Sequence, residues 1–138
     1  MSYRGHIIIV EDDMDDQDIY REVFKRLQVA NPVRYFSNSR DAFNFLMSAP
    51  ERPYLIISDI NMPGEDGLQF KQKIDSVDYL RMKSIPFVFL TTSDDEQMIL
   101  QAYQKTSLQG YFKKGNTVEE ISNCLEHILD YWRVARTP

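Results

Sequence analysis

Glu11, Asp12 and Asp13 follow the apolar run Ile7 to Val10, and Asp59 follows Tyr54 to Ile57 with only Ser58 between. Thr91 and Thr92 follow Phe87 to Leu90, and Lys113 and Lys114 follow Gly110 to Phe112. A carboxylate at the mouth of an apolar layer is costly unless a cation or hydrogen bonds compensate it. Carboxylates gathered together also raise one another's pKa unless a hard cation sits among them. Oxygens from one or two carboxylates, a backbone carbonyl and retained waters describe a Mg²⁺ site. A metal-bound Asp beside a Lys and a Thr hydroxyl is equipped for phosphoryl transfer, in which the protein supplies positioning and charge neutralisation. Asp59 can itself be the attacking nucleophile and form an acyl phosphate.

That chemistry requires the runs to be parallel strands with their ends on one edge. Ile7 to Val10, Tyr54 to Ile57 and Phe87 to Leu90 are short, continuous and rich in β-branched or aromatic residues, as strands buried on both faces are. Weaker strands are expected at Val33 to Phe36 and Gly110 to Phe112. Helical spacing links Ile19, Val23, Phe24 and Leu27, and again Val118, Ile121, Leu125, Ile128, Leu129 and Trp132. Shorter amphipathic stretches cover Asp41 to Met47, Leu68 to Ile74 and Glu96 to Tyr103, with Ser39 and either Ser93 or Asp94 placed as caps. The expected fold is therefore α/β: a doubly wound, five-stranded parallel sheet with five helices. Ligands of such sheets bind beyond the carboxyl ends of the strands, where strand order reverses.

The chain has 138 residues and a formal net charge of -5, which suits one domain and argues against a general nucleic-acid surface. The acid-rich segment EDDMDDQD, Glu11 to Asp18, also fits a solvated helix start, where acids favour the helix dipole. Cys124 is the single cysteine, so no internal disulfide forms, and a buried core thiol is expected. The first apolar run is too short for a signal-peptide core or a membrane span, and a cytoplasmic location is expected.

The pieces IIIVEDD (Ile7 to Asp13), SDINMPGEDG (Ser58 to Gly67), FLTTS (Phe89 to Ser93) and YFKKG (Tyr111 to Gly115), in that order, resemble a receiver domain of two-component response regulators. In size and layout the chain is similar to the single-domain chemotaxis type. The resemblance implies the flavodoxin-like strand order 2-1-3-4-5 and one receiver domain over residues 1–138, its core spanning about 5–134. It makes Asp59 the phosphoacceptor for a sensor histidine kinase. Asp12 then binds Mg²⁺ directly, Glu11 binds it through water, and the backbone carbonyl of Asn61 is the third protein ligand. Thr91 matches the hydroxyl that moves to the phosphoryl group, Lys114 the Lys that pairs with it, and Tyr111 the aromatic switch position. Asn61 and Ser93 fall at the two variable positions that tune phosphoaspartate hydrolysis.

Two departures stand out. Gly115 replaces the Pro that usually follows the Lys, so the cis peptide common there is not expected. The segment Tyr103 to Gly110 is one residue longer than usual, which leaves Lys113 as a rival to Lys114. The LTTS variant, the VEDD start and a long connection from Ser76 to Ser84 resemble the regulators that partner phytochrome-like kinases. Beyond the kinase, the resemblance implies a downstream protein, or a histidine phosphotransfer domain if the chain is a relay intermediate. It implies no direct nucleic-acid or membrane contact, and it leaves a homodimer through the last helices open. No enzymatic activity is expected apart from self-phosphorylation and self-dephosphorylation.

Taken singly, Asp59 reads as a turn acid, Thr91 as a buried strand Thr, Lys114 as a surface Lys and Tyr111 as a core aromatic; their order along the chain decides. A calcium loop starting at Asp59 or Asp13 would need an acid where Phe70 or Phe24 stands. A dinucleotide site would need an anion cradle where EDDMDD repels phosphate. A phosphatase of the haloacid dehalogenase type wants a second Asp two residues past the nucleophile, and Asn61 occupies that place.

Overall fold

The computed structural model describes residues 5–93 and 95–135. The strands are β1 (Ile7–Val10), β2 (Val33–Phe36), β3 (Leu55–Ser58), β4 (Phe87–Thr91) and β5 (Gly110–Lys113). They pair in parallel in the order β2-β1-β3-β4-β5, as expected. The helices are α1 (Met14–Arg26), α2 (Ser39–Ser48), α3 (Gly67–Ser76), α4 (Asp78–Arg81), α5 (Glu96–Lys105) and α6 (Val118–Val134). Five helices were expected and six are present among the described residues: the connection from Ser76 to Ser84 coils into the one-turn α4, which drives Leu80 into the core.

Period-two alternation sends each strand's residues into two cores. Ile7, Ile9, Leu55, Ile57, Val88 and Leu90 face one layer, which α1 and α6 cover with Tyr20, Val23, Phe24, Ile121, Leu125, Ile128 and Trp132. Ile8, Val10, Ile56, Phe87 and Phe89 face the other, covered by Ala42, Leu46, Phe70, Ile74, Leu80 and Ala102 from the remaining helices. Continuous apolar strands are the consequence of being covered twice.

The caps correct the sequence expectations. Asn38, not Ser39, caps α2, its side chain accepting from Asp41 N. Ser39 is instead buried, and its hydroxyl donates to Glu65 Oε1 at 2.6 Å. Asp95 caps α5 by accepting from Gln97 N; Ser93 does not, and Asp94 lies outside the described residues. In both helices the capping acceptor belongs to the residue immediately before the first helical one, from which it reaches the first free N–H groups. Cys124, expected as a buried core thiol, packs against the first core but is only half-buried.

Candidate functional site

The sheet reverses at β1, which lies between β2 and β3. Val10 is in register with Ser58, and the ladder continues one step as Asp59 N donates to Val10 O at 3.0 Å. Glu11 and Asp59 therefore leave the sheet side by side. One oxygen each from Glu11, Asp12 and Asp59 fall within 4.8 Å of one another. Glu11 is buried, the Asp59 side chain is 11% exposed and Asp12 is the most open of the three, so the cluster opens to solvent on one side. The third acid, Asp13, is directed elsewhere: it caps α1, its Oδ1 accepting from Asp15 N and Asp16 N.

The loop after Asp59 fixes its carboxylate. Oδ1 accepts from Ile60 N at 2.7 Å and Asn61 N at 3.3 Å, and Oδ2 lies 3.9 Å from Lys114 Nζ. Met62 is buried in the second core and anchors the turn, whose Gly64 has φ +77°. The chain then folds back so closely that a Cβ on Gly67 would stand 2.2 Å from Asp59 O. Gly67 N donates to Ile60 O at 2.8 Å, and the reciprocal Asp66–Gln69 capping box starts α3 there. The rigid turn behind Asp59 is thus a clamp on the residue.

Lys114, which accompanies β5 and donates its backbone N–H to Thr91 O at 2.6 Å, sends its ammonium across the edge of the sheet. Nζ lies 2.7 Å from Glu11 Oε1 and 2.8 Å from Asp16 Oδ2. Lys113 remains exposed on β5. Burial pushes the Glu11 carboxyl up to about 7, the Lys114 hydrogen bond opposing the rise and the Asp59 charge adding to it. Burial alone would lower the Lys114 ammonium, but the Tyr20 oxygen and the hydrogen bonds to Asp16 and Glu11 carry it upward.

Thr91 ends β4 fully buried, and its Oγ1 accepts from Ser93 N at 3.4 Å. Tyr111 is half-buried on β5; its ring packs edge-on to Phe89 and its hydroxyl donates to Ser93 O at 2.9 Å. Thr91 and Tyr111 are therefore joined through one residue of the loop after β4. Asn61 stands exposed at the rim, next to the acidic cluster in the chain.

Three residues of the site escaped the sequence reading. Asp16 holds Lys114, Tyr20 donates to Glu11 Oε1 at 3.2 Å, and Gln17 Nε2 donates to Glu11 O at 2.6 Å. Asp16, Tyr20, Val23 and Phe24 follow helical spacing, so Asp16 heads the buried stripe of α1, and that spacing is the signal.

The donor set fits a hard divalent cation. The Glu11, Asp16 and Asp59 carboxylates surround the Lys114 ammonium and Asp12 adjoins Glu11 and Asp59, leaving surplus negative charge. The Glu11, Asp12 and Asp59 oxygens lie close enough together for one hard divalent cation to engage them directly or through retained water. A cavity of about 500 Å³ at the opposite end of the sheet, lined by Leu27, Val29, Tyr54 and Leu129, contains none of these groups.

The model of the family described as response regulator receiver domain matches residues 7–126. Response regulator Rcp1 of Synechocystis is 28% identical over 135 residues, which cover 91% of this chain and 87% of that protein. The crystal structure of the phosphorylated cyanobacterial phytochrome response regulator RcpA superimposes with a TM-score of 0.86 at 26% identity, covering 97% of both chains. That of the Mn²⁺-bound form of Rcp1 gives 0.85 at 26% identity, covering 97% of this chain and 99% of that one. Two other curated relatives are longer, and the match takes up 28% and 35% of their length.

Proposed function

This chain belongs to the response regulator receiver domain family, and on that premise we propose that it is a phosphorylation switch centred on Asp59. The supporting observation is the meeting of Glu11, Asp12 and Asp59 with Lys114 at the point where the sheet reverses. Residues 1–138 then form a single receiver domain with its core over about 5–134. Asp12, Asp59 and the Asn61 carbonyl would hold Mg²⁺, with Glu11 acting through water. The bound ion supplies charge neutralisation for the transferring phosphoryl group. Mn²⁺ in Rcp1 supports a divalent ion of this kind.

An Asp59 oxygen attacks the phosphorus of a kinase phosphohistidine. The O–P bond forms as the N–P bond breaks, and the electron pair returns to the imidazole nitrogen. The backbone N–H groups of Ile60 and Asn61 hold the other Asp59 oxygen in place. The product carries nearly two negative charges and three acceptor oxygens. Lys114 pairs with them, and the Thr91 hydroxyl moves toward them. That move releases Ser93 N, and Tyr111, which is bonded to the same residue, turns inward and reshapes the face of α5, β5 and α6.

The phosphodonor is a sensor histidine kinase, and the likeness to Rcp1 and RcpA favours one of the phytochrome class. The output is binding of a downstream protein, or onward transfer to a phosphotransfer domain. No helix among the described residues is long and apolar enough to cross a membrane, and action in the cytoplasm is part of the proposal.

The test is incubation with acetyl phosphate and Mg²⁺. Asp59 should take up label and keep it for seconds or longer, Asp59→Asn should take up none, and small phosphate esters should not turn over. Continuous ester hydrolysis would instead mark a phosphatase.

A further inference from the structure

We propose that Asp16 is a positioning residue that parks the Lys114 ammonium away from Asp59 until a phosphoryl group arrives, and so sets how readily the site takes phosphate. The proposal rests on the receiver reading of Asp59 and Lys114.

The ammonium has three N–H donors. It lies at hydrogen-bond distance from Glu11 Oε1 and Asp16 Oδ2, whereas Asp59 Oδ2, at 3.9 Å, is beyond that distance. Asp16 is not placed there by chance rotation of a surface side chain. Its backbone N–H is held by the Asp13 cap, and the next residues of α1, Gln17 and Tyr20, both bond to Glu11. Asp15, whose backbone N–H shares the Asp13 cap, is exposed, and Lys114 bonds to the Asp16 carboxylate one residue on.

A phosphoryl group on Asp59 draws Lys114 toward itself through the third N–H, and the pull strains the two bonds the ammonium already makes. Glu11 has 2% of its side chain exposed, so water cannot take the place of the ammonium there. Asp16 has 22% exposed and can exchange the ammonium for water. The bond to Asp16 is therefore the one given up, and its loss opposes capture of the phosphoryl group. Releasing Lys114 from Asp16 in advance removes that opposition.

The experiment titrates fluoroberyllate, a stable phosphoryl mimic, into the full chain with saturating Mg²⁺ and follows the bound ¹⁹F resonance. Asp16→Asn should tighten binding about tenfold, the change that loss of one charge-assisted hydrogen bond of about 1.4 kcal/mol would produce. Asp15→Asn removes the same charge one residue away and should change affinity by less than about twofold, since an exposed charge is screened. In a Lys114→Ala background, Asp16→Asn should have no effect. Asp16→Ser repeats the test if the Asn variant fails to fold by circular dichroism. The proposal is overturned if Asp16→Asn leaves binding unchanged or weakens it, if Asp15→Asn does the same as Asp16→Asn, or if the gain persists without Lys114. Wild type that binds no fluoroberyllate overturns the receiver reading itself, a distinct result.

Discussion

Replacing Lys114 by Met keeps an unbranched stem and removes the ammonium from a carboxylate that is 2% exposed. Breaking a buried pair in this way costs about 3–5 kcal/mol when the remaining charge cannot be relieved. Glu11 has a route to relief, because burial already pushes its carboxyl from 4.5 up to about 7 with Lys114 in place. Without Lys114 its pKa rises further, and the folded protein holds the proton more tightly than the unfolded chain does. A raised pKa contributes stability that is complete below the unfolded value and is lost as pH climbs through the folded value. In the wild type that loss passes through its midpoint near pH 7 and levels off about one unit higher; in Lys114→Met it continues to higher pH, at up to about 1.4 kcal/mol per pH unit. The deficit of the variant should therefore be small near pH 6 and larger by about 1–2 kcal/mol at pH 8. Urea unfolding followed by circular dichroism, with divalent ions chelated, measures it directly. A deficit that is constant from pH 6 to pH 8, or greatest at pH 6, would refute the assignment of Lys114 as the partner of a proton-binding Glu11.

Thr91→Ala should leave labelling by acetyl phosphate largely intact while abolishing the phosphorylation-dependent change in partner affinity; a variant that still couples the two excludes Thr91 from the switch. Gly67→Ala would set a methyl group against the backbone at Asp59 O and Ile60 Cα, 2.2 and 2.8 Å away. That overpacking should cost about 1–3 kcal/mol in a thermal melt and weaken Mg²⁺ binding; a melt and a titration both like wild type would show that the close approach is unimportant. Asp12→Ala should lower Mg²⁺ affinity at least about tenfold by calorimetry, on the order of one lost charged ligand, and unchanged affinity would place the ion elsewhere.

The strands were legible because both their faces are buried. Continuous apolar runs marked β1, β3 and β4 to within one residue, and the acids and Thr behind them marked the edge where the acidic cluster forms. Parallel order follows from strand and helix alternation, which needs no knowledge of contacts. Side-chain direction was less legible. Glu11, Asp12 and Asp13 are equivalent as letters, yet one is buried, one is half-exposed and one caps a helix. Asp16 belonged to a cluster that also fits a solvated helix start; its spacing to Tyr20, Val23 and Phe24 gives the face, but which cation it meets there shows only in the folded chain. The one-turn α4 escaped because four residues give no helical period to detect. Gly67 lacked any signal, since a close backbone approach exists only once α3 has packed under Asp59.

The central claim is that one carboxylate, on Asp59, receives the phosphoryl group. Borohydride reduces an acyl phosphate to an alcohol, so treating the acetyl-phosphate-loaded chain should convert residue 59 to homoserine, found by peptide mass spectrometry and only when Mg²⁺ was present. Reduction at Asp12 or Asp16 in its place, or an intact Asp59 in a chain that carries phosphate, would contradict the account.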